Sequence, residues 1–280
     1  MRTPRRARPP TARSAAAARR WIDERRFATF ADGVLTVEHD HGFFSTCTVT
    51  LVEAMRAPAP VTRIDSSSAF PLYREDSTGC IWDRFFAPPR PPLPTPDPAA
   101  DLQGLPWSAN GPARSLDLDA LRPWVDAYFR PSEAVRARAD DLAERYVVDP
   151  RRTVAVWVRG TDKVEEIRPS SLTRYVRSVR AALRHGGVDR VLVQSDQAQV
   201  RDALLERFGD AAFCIAELPV TSGSEGLHLQ ALPGRERHAV DLLATVVLMS
   251  TFERLVLHSG NCAFWTILLR GDVDGVRQLR

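Results

Sequence analysis

Lysine is almost absent. The 280-residue chain carries 38 basic residues, and Lys163 is the single lysine among them. A GC-rich coding sequence produces such drift to arginine, and the one lysine left stands either by chance or where a compact point charge cannot be exchanged for a planar fork. Cysteine is sparse: Cys47, Cys80, Cys214 and Cys262 are widely scattered and none forms a CxxC pair. That excludes a zinc knuckle and a disulfide framework, and makes a reducing cytoplasm the default compartment. Long apolar runs are missing. The longest, Ala239 to Met249, is broken by Asp241 and is too short to span a bilayer, so no transmembrane segment is expected. Met1 to Arg20 is basic without an apolar centre, unlike a standard secretory signal. No repeat period is present, and Ser222-Gly223-Ser224-Glu225-Gly226 lacks the Gly-x-Ser-x-Gly spacing of a hydrolase elbow.

What remains is a globular composition, 44% hydrophobic and 26% charged, with a net charge of +3. This is enough for one large domain or two small ones with a real core, and it excludes wholesale disorder. Residues 1–26 hold nine arginines and three prolines. They read as a disordered basic tail, with a nucleic-acid or membrane-surface arm as the competing reading; no interleaved aromatics support the latter, and no nucleic-acid partner is expected. Residues 27–150 read as an N-terminal α/β half. Gly33 to His39 is a strand, His39 to Ser45 a loop, Ser45 to Arg56 a helix and Val61 to Asp65 a strand, followed by a loop of three serines. Residues 87–113, with nine prolines, form an excursion. Helices are expected over Leu116 to Tyr128 and Pro131 to Val147. Residues 151–280 alternate strand and helix: Thr153 to Val158, Pro169 to His185, Arg190 to Gln194, Asp196 to Phe208, Ala212 to Ala216, Glu236 to Thr251, Leu255 to His258 and Cys262 to Leu269. Alternation predicts a parallel sheet, with ligands at the carboxyl ends of its strands.

The most informative run is Trp157-Val158-Arg159-Gly160-Thr161-Asp162-Lys163. It places two cations and a carboxylate at the end of a buried strand, where arginine can grip phosphate oxygens in two-pronged fashion; a capped surface turn is the bland reading. The run resembles the His-Val-Arg-Arg-Thr-Asp-Lys-like motif of the α1,6-fucosyltransferases, the core N-glycan and nodulation types. Val191 to Asp196, Ala239 to Leu243 and His258 to Trp265 are similar to further stretches of that family, in the same order. His39 to Ser45 takes the place of its first Gly-rich turn. The resemblance implies a GT-B-like α/β fold, two Rossmann-like parallel-sheet halves facing a cleft, and residues 151–280 as the nucleotide-sugar half. It implies GDP-fucose as donor, no metal and no other cofactor, and a hydroxyl-bearing glycan or other acceptor.

Site residues follow from the same resemblance. Arg159 holds the donor diphosphate, with Lys163 near the phosphate or leaving group. Asp162, Ser195, Asp196, Ser259, Gly260 and Asn261 belong to the donor-binding loops, and Asp241 reads the guanine edge. Glu165 or Glu166 is the catalytic base that takes the acceptor proton in an inverting transfer. His41, Gly42, Phe43 and His228 face donor or acceptor. The chain also departs from the family: Trp157 stands where the family has a base-contacting histidine, and Gly160 replaces a second arginine. Trp157 could stack on a base or belong to the core. His39, Asp40 and His41 could ligate a metal, but no further His or Cys follows at a matching spacing, and a polar loop or a substrate contact explains them. Three functions compete: a fucosyltransferase, a glycosyltransferase with another nucleotide-sugar, and a decayed nucleotide- or glycan-binding protein. The expected location is cytoplasmic or peripheral at the inner membrane.

Overall fold

A computed structural model describes residues 27–75, 79–97, 112–159, 170–185, 187–223 and 234–279. The chain enters through β1 (Ala28–Ala31) and β2 (Val34–His39), an antiparallel pair. Asp32 and Gly33 turn the hairpin with φ of 50° and 78°, the left-handed pair that a tight two-residue turn requires. Next come α1 (Phe43–Arg56) and β3 (Arg63–Ala69), which returns parallel to β2. The expected β-loop-α-β unit is there, in a three-stranded sheet of order β1-β2-β3. One local expectation is corrected: the three serines lie within β3. Ser66 faces inward, and its hydroxyl accepts from the Ile81 amide at 3.1 Å, which satisfies a polar group that burial would otherwise penalise.

A short helix, α2 (Trp82–Phe85), precedes the proline-rich stretch. Its described part is bound to the body: the amides of Ala87, Arg90 and Asp97 donate to Arg130, Ala127 and Met55. Then α3 (Leu118–Tyr128) and α4 (Glu133–Arg145) each open on a side-chain cap, Asp117 to the Ala120 amide at 3.0 Å and Ser132 to the Val135 amide at 3.3 Å.

The last part alternates strictly. Its elements are β4 (Thr153–Val158), α5 (Leu172–Leu183), β5 (Arg190–Ser195), α6 (Ala198–Phe208), β6 (Ala212–Phe213), α7 (Arg235–Ser250), β7 (Arg254–His258), α8 (Asn261–Arg270) and β8 (Val276–Leu279). All five strands run parallel, in the order β6-β5-β4-β7-β8. All six residues of β4 are buried, as an apolar run covered on both faces must be. Val154, Val156, Val191 and Val193 pack towards α5 and α6. Ala155, Trp157, Leu192 and Leu257 belong to the opposite core, which continues without a break into Leu35 and Ile64 of the first sheet. Each such buried aliphatic side chain contributes about 1.5–3 kcal/mol.

The strand order decides where a ligand can sit. From β4 the chain builds outwards to β5 and β6, then returns to the other side of β4 for β7 and β8. The order therefore reverses between β4 and β7, and the carboxyl ends of those neighbours open a crevice. Among the described residues no helix is long and apolar enough to cross a membrane.

Candidate functional site

A pocket of about 210 Å³ opens at that reversal and is closed from the other side by the first βα turn. Arg159 leaves the carboxyl end of β4 and lines it, with Ser195 and Asp196 from the end of the adjacent β5. The guanidinium and the Asp196 carboxylate form an ion pair, Nε to Oδ2 3.5 Å, with both side chains mostly buried. That pair keeps the arginine at the crevice with its charge balanced until a stronger anion arrives.

Two helix N-termini aim at the same pocket. Gly42, Phe43 and Phe44 begin α1, and Asn261 and Cys262 begin α8. The helices are pinned side by side. The Thr48 hydroxyl donates to Asn261 Oδ1 at 3.0 Å, and the Trp265 indole N–H donates to the Phe44 carbonyl at 3.1 Å. Gly260 makes the turn possible: its φ is 153°, and a Cβ there would lie 2.7 Å from His258 Nε2. The paired N-termini give a region of positive partial charge, beside the Arg159–Asp196 pair, suited to an anion such as a diphosphate. Tyr73 sits beneath, close to Gly42, and burial pushes its phenol up to about 12, against the opposing pull of the Phe43 amide and Arg159. It stays a neutral hydroxyl at any physiological pH.

The remaining wall is apolar, from Trp157, Leu218, Pro219 and Leu242. His238 closes it from α7, its ring nearly parallel to that of Tyr73 at 6.4 Å between centroids. Burial lowers the His238 pKa, and Asp241 only partly offsets this. At the mouth, His41 Nδ1 is 2.6 Å from Asp40 Oδ1 and its ring stacks on His39 at 4.9 Å. His39, Asp40 and His41 place their ligand-type atoms within 4.8 Å of one another, and among the described residues they are the group able to hold a metal ion. His39 Nε2 is shared with the Ser45 hydroxyl at 3.1 Å and one His41 nitrogen with Asp40, so each ring already has a protein partner.

Of the residues singled out in the sequence, Trp157, Arg159, Ser195, Asp196, Asn261, His41, Gly42 and Phe43 line one pocket. Asp162, Lys163, Glu165, Glu166 and His228 lie outside the described residues. Three more, Asp241, Ser259 and Gly260, are not among the residues that line this pocket. Asp241 does not line the pocket: His238 and Leu242, four apart on α7, take that face, and the Asp241 carboxylate turns to α4, where Arg138 Nε donates to it at 2.6 Å. The Ser259 hydroxyl is buried against β8, accepting from Gln278 Nε2 at 3.1 Å. Gly260 shapes the turn but contributes no lining. Reasoning from sequence missed Gln194, Tyr73 and His238 as cleft residues. Gln194 had a usable signal, an amide two residues beyond inward-facing Leu192 and directly after the apolar run Val191-Leu192-Val193.

No family model matches the chain, and no curated protein matches it. Solved structures do. A fucosyltransferase NodZ from Bradyrhizobium shares 16% identity, with a TM-score of 0.53 over 84% of this chain and 92% of that one. A NodZ α1,6-fucosyltransferase co-crystallised with GDP shares 15% identity, with a TM-score of 0.50 over 84% of this chain and 91% of that one. The architecture is thus GT-B-like; among the described residues its five-stranded sheet is purely parallel and its first sheet has three strands, one of them antiparallel.

Proposed function

We propose that the chain is a glycosyltransferase that moves fucose from GDP-fucose to a hydroxyl of a glycan or other acceptor, with inversion and without a metal. The observation that carries this is the convergence of Arg159 with the N-termini of α1 and α8 in the crevice at the sheet's order reversal. It occurs in a fold whose similar solved structures include one co-crystallised with GDP. In the reaction the acceptor oxygen bonds to the sugar's anomeric carbon as the carbon–oxygen bond to the diphosphate breaks. The acceptor proton passes to a carboxylate, and GDP leaves with the bonding pair. Arg159 and the two helix N-termini take up the phosphate charge as it develops. Ser195 and Asn261 add hydrogen bonds at the same rim, and Lys163 is assigned to the phosphate charge as well. Glu165 or Glu166 serves as base. The cytoplasm is the compartment this reading expects.

Calorimetry with GDP, UDP and GDP-fucose in the presence of a chelator tests the donor site. Binding in the parent and a loss of about tenfold or more in Arg159→Ala is the expected result. Absence of binding to all three removes the enzyme reading. The base assignment is tested separately: a Glu165→Gln/Glu166→Gln double variant should lose about 100-fold or more in turnover with donor affinity retained. Unchanged turnover would move the role to another group on the cleft, with the His41–Asp40 pair next to examine. A second reading, a glycosyltransferase using another nucleotide-sugar, draws on a specific observation: Asp241 is engaged by Arg138, away from the pocket, while Trp157 faces it.

A further inference from the structure

Gln194 sits at the floor of the cleft with 3% of its surface exposed, and its Nε2 has no hydrogen-bond partner among the described residues. A buried amide nitrogen left unpaired is costly, and one that lines a cleft is placed to be completed by what enters it, a ligand or an ordered water. The surroundings indicate which part of a ligand that is. Gln194 is in register with Trp157 on the neighbouring strand, and both project to the cleft face of the sheet. Leu218, Pro219 and Leu242 complete an apolar wall beside them. The charged groups and helix N-termini lie at the strand-end rim. A phosphate therefore belongs at the rim, and a flat, uncharged group carrying hydrogen-bonding atoms on its edge belongs on the floor. A second buried nitrogen without a partner among the described residues, His238 Nδ1, lines the same cleft from α7.

We infer that Gln194 is the residue that reads the edge of the nucleobase, a role that rests on a nucleotide occupying this cleft. The chemistry sets its selectivity. A carboxamide offers one donor and one acceptor side by side. That pattern complements O6 and N1–H of guanine, and equally O4 and N3–H of uracil. A carboxylate only accepts, and it complements the N1–H and N2–H₂ pair of guanine alone. With Asp241 committed to Arg138, no carboxylate from α7 enforces guanine here. Gln194 by itself separates GDP from UDP only weakly.

The test compares the parent, Gln194→Leu and Gln194→Glu by calorimetry with GDP, UDP and pyrophosphate. Gln194→Glu should shift the GDP-to-UDP affinity ratio towards GDP by about tenfold. Gln194→Leu should weaken both nucleotides by about fivefold or more and leave pyrophosphate unchanged. It should also unfold at or above the parent's temperature, because an apolar side chain replaces an unpaired amide. A ratio within twofold of the parent's in Gln194→Glu, or a loss of pyrophosphate binding that matches the loss of nucleotide, overturns the assignment while leaving the donor site standing. A parent that binds pyrophosphate but neither nucleotide overturns both.

Discussion

Arg159 and Asp241 carry the same kind of charge pair to opposite ends. Arg159 meets Asp196 at 3.5 Å in a cleft wide enough for a competing anion, so its pair can be exchanged for phosphate. Asp241 meets Arg138 at 2.6 Å with 6% of its side chain exposed, and Arg237 stands 3.8 Å away on the preceding turn. Arg138 is the hub of that cluster, since Glu217 lies 3.5 Å from it and Asp141 also pairs with it. Removing Asp241 takes away the most buried partner of Arg138 but leaves Glu217 and Asp141 beside it. Asp241→Ala should therefore cost about 2 kcal/mol in urea unfolding, the worth of a charged hydrogen bond, with the GDP-to-UDP preference of the folded protein unchanged. A stable Asp241→Ala protein with altered preference would return Asp241 to the site. The two roles could not be separated from sequence, because Asp196 directly follows β5 and Asp241 lies within α7, both in the same half. Only the rotation of α7, which gives 238 and 242 to the cleft, distinguishes them.

At the scale of elements, β2 delivers His39 to the start of the cleft loop, and the fold makes it a titrating component. Its pKa is pulled down to about 4, chiefly by burial and next by the charge of His41, with Asp40 opposing. The edge of Phe27 also faces it, and Ser45 shares its Nε2. Unfolded, the imidazole titrates near 6.5, so below that pH the unfolded chain binds a proton that the folded chain does not. Stability present above about 6.5 is lost as pH falls towards 4, an effect of about 2 kcal/mol after allowance for solvent screening. Unfolding free energies measured from pH 7 to pH 4 should show this slope, and His39→Gln should flatten it; an unaltered slope assigns the proton elsewhere. Elements with a buried, periodic signal were legible: β4 matches its expected bounds, and β5, α6, α7, β7 and α8 differ by a residue or two. Those that escaped reading owe their state to partners. β8 is an edge strand with exposed Arg277, defined by its pairing with β7, and the serine-rich end of β3 is extended because β2 lies beside it. The Asp32-Gly33 turn was a local signal left unread.

The whole molecule decides whether the two sheets respond to a ligand as one body. Residues 27–150 and 151–280 read as separate halves in sequence, because composition changes at the proline-rich stretch and each half has its own alternating pattern. The apolar interior does not respect that division. Leu35 and Ile64 share a core with Trp157 and Leu257, and Trp265 of α8 donates its indole N–H into α1. The cleft draws on both, Gly42 and Phe43 from one side, Arg159 and Asn261 from the other. A cooperative unit of this kind should unfold in a single thermal transition. Ligand that binds only the folded state then stabilises all of it, by about 2.7 kcal/mol at a concentration of 100 times the dissociation constant. For a chain of this length, that is a rise of about 5 °C in Tm. The expected result with saturating GDP is a single transition moved upwards as a whole, whether followed by tryptophan fluorescence or far-ultraviolet dichroism. Two transitions with only one of them moving would mean that the halves melt apart and that one alone holds the nucleotide. The N-terminus of α1 would then have no part in phosphate binding, and the site would shrink to the loops of the parallel sheet.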